Sequence, residues 1–525
     1  MKKRLLALIL SVLLIAGLVA GCSGGKTEPG AATKAPAGDS EAPGGDKSGE
    51  PQESGRTDLV IAIAADIATL HPSDHTTTAE IDIEAQIYDT LYRASLDGNE
   101  PQPRLATSYE ISEDGKQYTF HLRKDATFHD GTPIKASDVV FSANLYKQSK
   151  YQNAIVAGLS EAKAIDDYTV VFTTETVYSP FLESIMDMHI ASEAYFNSVD
   201  AETFANKPMG SGPYKFVSHE AGSKIILEAY DGYYLGAPSI KNVTYKVIPD
   251  DTTVAVALQT GEVGFADINE SNYRNLSGKE GVVIDEYNMS RFGFISMNHE
   301  KFPYSEVKFR QAIAYAINRQ NVVDLTLDGL GTVNSNILSP LRFGYSDKQP
   351  QYTYDTEKAK QLLEECGIET PYDLGVMYVS EAYSTLAQVI QSDLAAVGLN
   401  CTIEILEANA YYGKLLGGEC GMTVLEMTLE GSTQQFSLAF MPEYIGGANN
   451  ARYSDEEVSQ WFKDAVAAVD DEERFEIYNK IFTKVQEQAV YVVMYNTIGL
   501  YAHSADLKCP HFELEGRYYI YDFSW

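Results

Sequence analysis

The chain has 525 residues, 44% hydrophobic and 22% charged, with 40 Lys and Arg against 74 Asp and Glu for a net charge of −34. At roughly one domain per ~150 residues, that length gives two to four domains with ample core, which excludes a small disulfide scaffold and a wholly disordered chain. So acidic a body repels nucleic-acid phosphates and carries no basic patch to offset the field, so nucleic acid is not an expected partner.

Lys2, Lys3 and Arg4 precede an apolar stretch over 5–19, laid out like a secretory signal and too short to span a membrane alone. It ends Leu18-Val19-Ala20-Gly21-Cys22, which resembles the bacterial lipobox. The resemblance implies removal of a signal peptide over 1–21 and lipid attachment at Cys22. The lipid then anchors the protein to the outer face of the cytoplasmic membrane. From Ser23 to Thr57 there is no Val, Ile, Leu, Met or aromatic residue. A segment so poor in apolar area cannot offset its ordering entropy, so 22–57 reads as a lipidated cysteine and tether before a folded body over 58–525.

In the body, strand-like runs fall at 59–64, 109–111, 118–122, 169–173, 225–229, 243–247, 292–297, 402–406 and 490–495. Asp114-Gly115 between the second and third predicts a hairpin turn. Helical stripes appear at Phe309, Ala312, Ile313, Ala316 and Ile317, and again at Leu386, Val389, Ile390, Leu394 and Val397. Another runs through Phe475, Tyr478, Ile481, Phe482 and Val485. Asp355 can N-cap a helix reaching Cys366, with Gly367 as its stop. The interleaving predicts an α/β fold with more than one sheet.

No phosphate-binding loop, dinucleotide turn, nucleophile elbow or zinc-protease helix occurs, and neither an enzyme nor a cofactor is expected. His71 and His75 are four apart, but Pro72 between them argues against one helix presenting both to a metal. No Cys-x-x-Cys spacing exists, so no structural zinc is expected, and Cys366, Cys401, Cys420 and Cys509 are left either paired or as free thiols. The 35 tyrosines against 2 tryptophans suit either a wet binding cleft or half-exposed strands.

Several segments, taken in order, resemble the extracytoplasmic solute-binding proteins (family 5) of ATP-binding-cassette importers for oligopeptides, dipeptides and nickel. They lie at 59–63, 69–72, 87–91, 118–123 (YTFHLR), 128–133 (FHDGTP), 136–140, 210–214 (GSGPY), 248–251, 257–262, 310–313, 354–363, 448–450 and 453–458, and the chain ends aromatic at Trp525. The resemblance implies a two-lobed periplasmic-binding-protein-like fold of type II, in the three-domain peptide-binding variant with mixed sheets and a hinge. By that analogy domain I comprises 58–100, 201–288 and 491–525, domain II 101–200 and domain III 289–490.

The same resemblance implies a monomer that closes over a short peptide and delivers it to the membrane permease subunits of an importer. The same fold holding a nickel chelate, a glycan or another polar solute, or acting as a surface ligand sensor, is the alternative. In peptide-binding relatives the loop after the first strand contacts ligand, which here makes Thr76 and Thr78 candidates against a plain polar turn. Tyr495 falls at a contacting aromatic, with core packing as the competing assignment. Tyr214 either lines the cleft or anchors the 210–213 turn. Relatives carry a tryptophan and then an aspartate that pairs with the peptide's α-ammonium; here Met427 and Glu430 stand near those positions. Glu426 is the other candidate anion, and Thr428 joins the candidate set. Lys414 is the cation found in the region where some relatives place an arginine.

Overall fold

The computed structural model describes residues 55–94, 101–340, 342–428, 432–509 and 516–525, all within one unit spanning Ser54–Trp525. The signal peptide, Cys22 and nearly all of the tether lie outside the described residues. The end of the expected tether already belongs to the body. The Thr57 carbonyl accepts the Lys241 and Asn242 N–H groups at 2.6 and 3.2 Å, and the Arg56 guanidinium lies 3.6 Å from the centroid of the Trp525 ring. Trp525 Nε1 also donates to the Asp58 carbonyl at 3.1 Å, fastening the chain's end to the start of its first strand.

Buried Leu59, Ile61 and Ile63 alternate along the strand Asp58–Ile63, which pairs in parallel with Asn242–Val247 and Phe265–Asp267. These belong to a mixed sheet of nine strands among the described residues. From edge to edge it runs Met422–Thr428, Val282–Met297, Tyr491–Ser504, Phe265–Asp267, Asp58–Ile63, Asn242–Val247, Lys224–Ala229 and Tyr214–Glu220, with Gly331–Val333 added onto Tyr491–Ser504. A separate antiparallel sheet orders Ala106–Ile111, Gln117–Leu122, Thr169–Thr174 and Leu159–Asp166. Its first hairpin turns where Asp114-Gly115 predicted: Gly115 adopts φ +67° and its N–H reaches the Ser112 carbonyl at 2.8 Å. Tyr372–Ser380 and Leu399–Leu406 form a parallel pair joined by the helix Ser384–Ala396.

The expected helical stripes are core faces. Asp355 caps Thr356–Glu365 by accepting the Lys358 N–H at 2.9 Å, and Gly367 ends the turn at φ +74°. Val307–Ala316, Ser384–Ala396 and Asp471–Glu487 likewise bury their apolar faces.

Packing separates the apolar residues into three regions. One gathers 59–88, 191–276 and 500–523 around half of the large sheet, and the second gathers 91–190 around the four-stranded sheet. The third gathers 292–495. Ala191 and Phe204 both pack with the first region, on the two sides of the sequence boundary at 200. The long strands Val282–Met297 and Tyr491–Ser504 run from the first region into the third. Their pairing breaks register between Asn288 and Phe292 and again between Gly293 and Phe294. Such irregularities let a strand bend, and they mark the crossover. The third region also touches the second. Ser179 donates through N–H and Oγ to the Val466 and Ala465 carbonyls, each at 3.0 Å, and Arg474 donates to the Ser179 carbonyl at 3.0 Å and reaches Glu183 at 3.3 Å. The four cysteines of the body are free thiols.

Candidate functional site

The crossover assembles a polar group from three neighbouring strands. Gly293, on the strand Val282–Met297, stands opposite Glu426 on one side and Tyr495 on the other. A Cβ at Gly293 would lie 2.1 Å from the Tyr495 ring, so only glycine lets that ring cross the strand. Across that gap Tyr495 Oη donates to Glu426 Oε1 at 2.9 Å, and Arg291, two residues before the glycine, forms an ion pair with Glu426 Oε2. Burial, reinforced by the Glu426 charge and hydrogen bond, holds the Tyr495 phenol well above its ordinary range, so it donates as a neutral group. The side chains of Glu426 and Arg291 are 11% and 46% exposed, which places the pair at a solvent-facing rim.

Thr428 faces the same side as Glu426, opposite Arg291, and is exposed. Met422–Thr428 is an edge strand of the large sheet, buried from Met422 to Leu425 and progressively open towards Thr428. From within the core, Arg319 donates to the Val493 carbonyl at 2.8 Å and to the Ala314 and Tyr352 carbonyls at 3.1 and 2.9 Å. Desolvation pushes its guanidinium down to about 10, still charged at neutral pH.

The other sequence candidates fall elsewhere. Thr77 caps the helix Thr78–Ile87, and Glu80 returns to accept the Thr76 and Thr77 N–H groups at 2.8 and 3.1 Å and the Ala68 N–H at 2.9 Å. Burial raises the Glu80 carboxyl, but these backbone donors outweigh it and hold it below its usual range. Thr76 and Thr78 flank this cap with exposed side chains. Among the described residues, no hydrogen bond joins either to Glu426, Arg291 or Tyr495. Tyr214 lies fully buried, its hydroxyl donating to the Ile240 carbonyl at 3.1 Å, which leaves no face for a ligand. It is a core residue, since its strand position points into the apolar cluster around Tyr245 and Leu227. Glu430 lies outside the described residues. Lys414 pairs instead with Glu419 at 2.7 Å.

Arg291 is the residue that sequence reasoning missed. Its signal was the glycine two positions on, since Gly inside a strand marks a close approach and therefore a crowded site.

A second feature lies where the second and third regions meet. A cavity of about 480 Å³ opens there, lined on one side by Lys116, Thr176 and Val177 and on the other by residues that include Gln434, Ser437 and Lys463.

Comparison with known proteins agrees with this architecture. The family model for bacterial extracellular solute-binding proteins, family 5 Middle, matches residues 100–442. The dipeptide-binding protein of Escherichia coli (strain K12) is 29% identical over 475 residues, 83% of this chain and 86% of that protein. HbpA2 from Haemophilus parasuis has a similar structure, with a TM-score of 0.82 and 26% identity over 89% of this chain and 99% of that one. The ABC transporter-associated periplasmic binding protein DppA from Helicobacter pylori, in complex with the peptide STSA, gives a TM-score of 0.67 at 26% identity, over 89% of this chain and 98% of that one.

Proposed function

The chain belongs to the bacterial extracellular solute-binding proteins of family 5, the ligand-capturing components of ABC importers, and from that premise we propose that it captures short peptides between two lobes and passes them to a membrane permease. It performs no covalent chemistry. Lipid on Cys22 holds it, as a monomer, to the outer face of the membrane, and the tether lets the body reach the permease. The lobes follow the division into domains I (58–100, 201–288, 491–525), II (101–200) and III (289–490), a reading supported by the three separate packing regions.

The observation that carries the peptide assignment is the Glu426–Arg291 pair beside Tyr495. A free peptide is a zwitterion, and both its ends need partners once water is displaced. At this site an anion and a cation stand side by side and neutralise each other. A peptide exchanges that one pair for two, its ammonium on Glu426 and, for a ligand of the right length, its carboxylate on Arg291. The open end of the Met422–Thr428 edge, with Thr428, supplies backbone groups for an extended ligand, which gives affinity indifferent to side chains. Exposed Thr76 and Thr78 are proposed as contacts from the opposite lobe, and Glu430 as a further anion.

Thermal unfolding against di- to hexapeptides, with a nickel chelate and a glycan alongside, tests the reading. Ligand at a hundred times its dissociation constant stabilises the fold by about 2.7 kcal/mol. A shift with peptides is expected. A shift only with the chelate or glycan would move the cargo to the alternative class while leaving the fold and family in place.

A further inference from the structure

Away from the crossover, three buried side chains from separate segments converge. His75 sits in the loop before the helix Thr78–Ile87, Glu84 lies inside that helix, and His189 comes from the stretch after Phe181–Ile185. His75 Nδ1 is 2.9 Å from Glu84 Oε2, His189 Nδ1 is 3.5 Å from the same oxygen, and no two of the three donor atoms are more than 4.8 Å apart. His71, four residues before His75 in the sequence, takes no part; its ring faces Ser73 and Asp74 instead.

A hydrogen bond between His75 and a protonated Glu84 is the simplest content for such a cluster. It leaves two atoms unused. Glu84 Oε1 and His189 Nδ1 are buried and have no hydrogen-bond partner. Glu84 is 0% exposed, and leaving a buried acceptor unmet costs it the hydration it gave up. Glu84 itself feels the negative charges of Glu80 and Asp74, while Arg517, the cation acting on the two histidines, is ion-paired with Asp187.

We propose that His75, Glu84 and His189 form a binding site for one divalent transition-metal ion, with Zn²⁺ the best match to two imidazole nitrogens and a carboxylate oxygen. Ligand atoms around a tetrahedral ion with ~2.1 Å bonds lie about 3.4 Å apart. The separations of 2.9 and 3.5 Å bracket that value. A cavity of about 40 Å³ bordered by both histidines has room for one water as the fourth ligand. The His189 ring stacks on Tyr88 with centroids 5.6 Å apart, which helps fix the orientation of the imidazole. An ion here uses both orphaned atoms. It also ties the loop carrying Thr76 to the helix behind it and to the segment around His189. The site is separate from the Glu426 group and holds whether or not the cargo is a peptide.

The untagged chain, loaded with Zn²⁺ and dialysed into metal-free buffer, should retain about one zinc per chain by mass spectrometry, and Glu84→Gln should retain at least about tenfold less. X-ray absorption at the zinc edge of the wild-type protein should show two imidazole ligands, a result independent of how any variant folds. Wild-type protein that keeps no zinc, Glu84→Gln that keeps as much as wild type, or bound zinc with fewer than two imidazoles overturns the site.

Discussion

Glu426 and Glu84 bring the same carboxylate into opposite surroundings. Glu426 stands at a rim, its charge answered by the half-exposed Arg291 and its other oxygen by Tyr495. Glu84 is sealed among aromatic rings and two histidines, and burial, with the nearby charges of Glu80 and Asp74, holds its carboxyl well above the usual range. A compensated charge near water can exchange partners at low cost, whereas a sealed one must be neutralised where it stands, by a proton or a cation. The first arrangement suits a ligand that comes and goes, and the second suits one that stays.

If that contrast holds, the largest effect should come from Glu426→Gln. Calorimetric peptide affinity should fall by about 2–5 kcal/mol, because the ligand's ammonium loses its anion inside a closed site. Folding stability should hardly move, since Arg291 turns to water. An unchanged affinity would place the anion elsewhere, with Glu430 the next position to substitute. Gly293→Ala should come second, destabilising the fold by about 1–3 kcal/mol in urea unfolding as the new methyl displaces the Tyr495 ring. Tyr495→Phe removes one hydrogen bond from the same group and should lower stability by about 0.5–1.5 kcal/mol.

A separate signature, read in pH rather than in a substitution, comes from sealed groups. Burial pushes His129 down to about 4, opposed by its bond to the Gly212 carbonyl, and pushes His299 down to about 3 with help from Arg310. Both titrate near 6.5 when unfolded, so the unfolded chain takes up their protons first. Their stabilisation is complete above about 6.5 and drains away as pH falls towards 4 and 3. Urea midpoints should therefore drop between pH 7 and pH 5, and His299→Gln should flatten that drop; identical slopes in the two proteins would rule out His299 as a source.

The helices and the hairpin were legible because their signals are local. The stripe at Phe309, Ala312 and Ile313 buries the face its spacing predicts, and Asp114-Gly115 turns where it should. The crossover strands were legible only in part. Their apolar patterns mark 292–297 and 490–495, but the strands run over Val282–Met297 and Tyr491–Ser504. Asn288, Ser290 and Arg291 interrupt the apolar pattern on one, and Asn496, Thr497 and Gly499 on the other, and these are the residues at the bend. Tyr214 was open to two readings because an aromatic after a glycine turn looks alike in sequence whether it faces a cleft or a core. The Glu84 cluster left no local signal, since it joins side chains that only the tertiary fold brings together.

The most direct test of the central claim compares the tightest-binding peptide of the panel with its N-acetylated form on the wild-type protein. If Glu426 exchanges Arg291 for the ligand's α-ammonium, acetylation should weaken binding by about 2–5 kcal/mol in calorimetry, and Glu426→Gln should no longer distinguish the two peptides. Equal affinity of the free and acetylated peptides for the wild-type protein would contradict the claim.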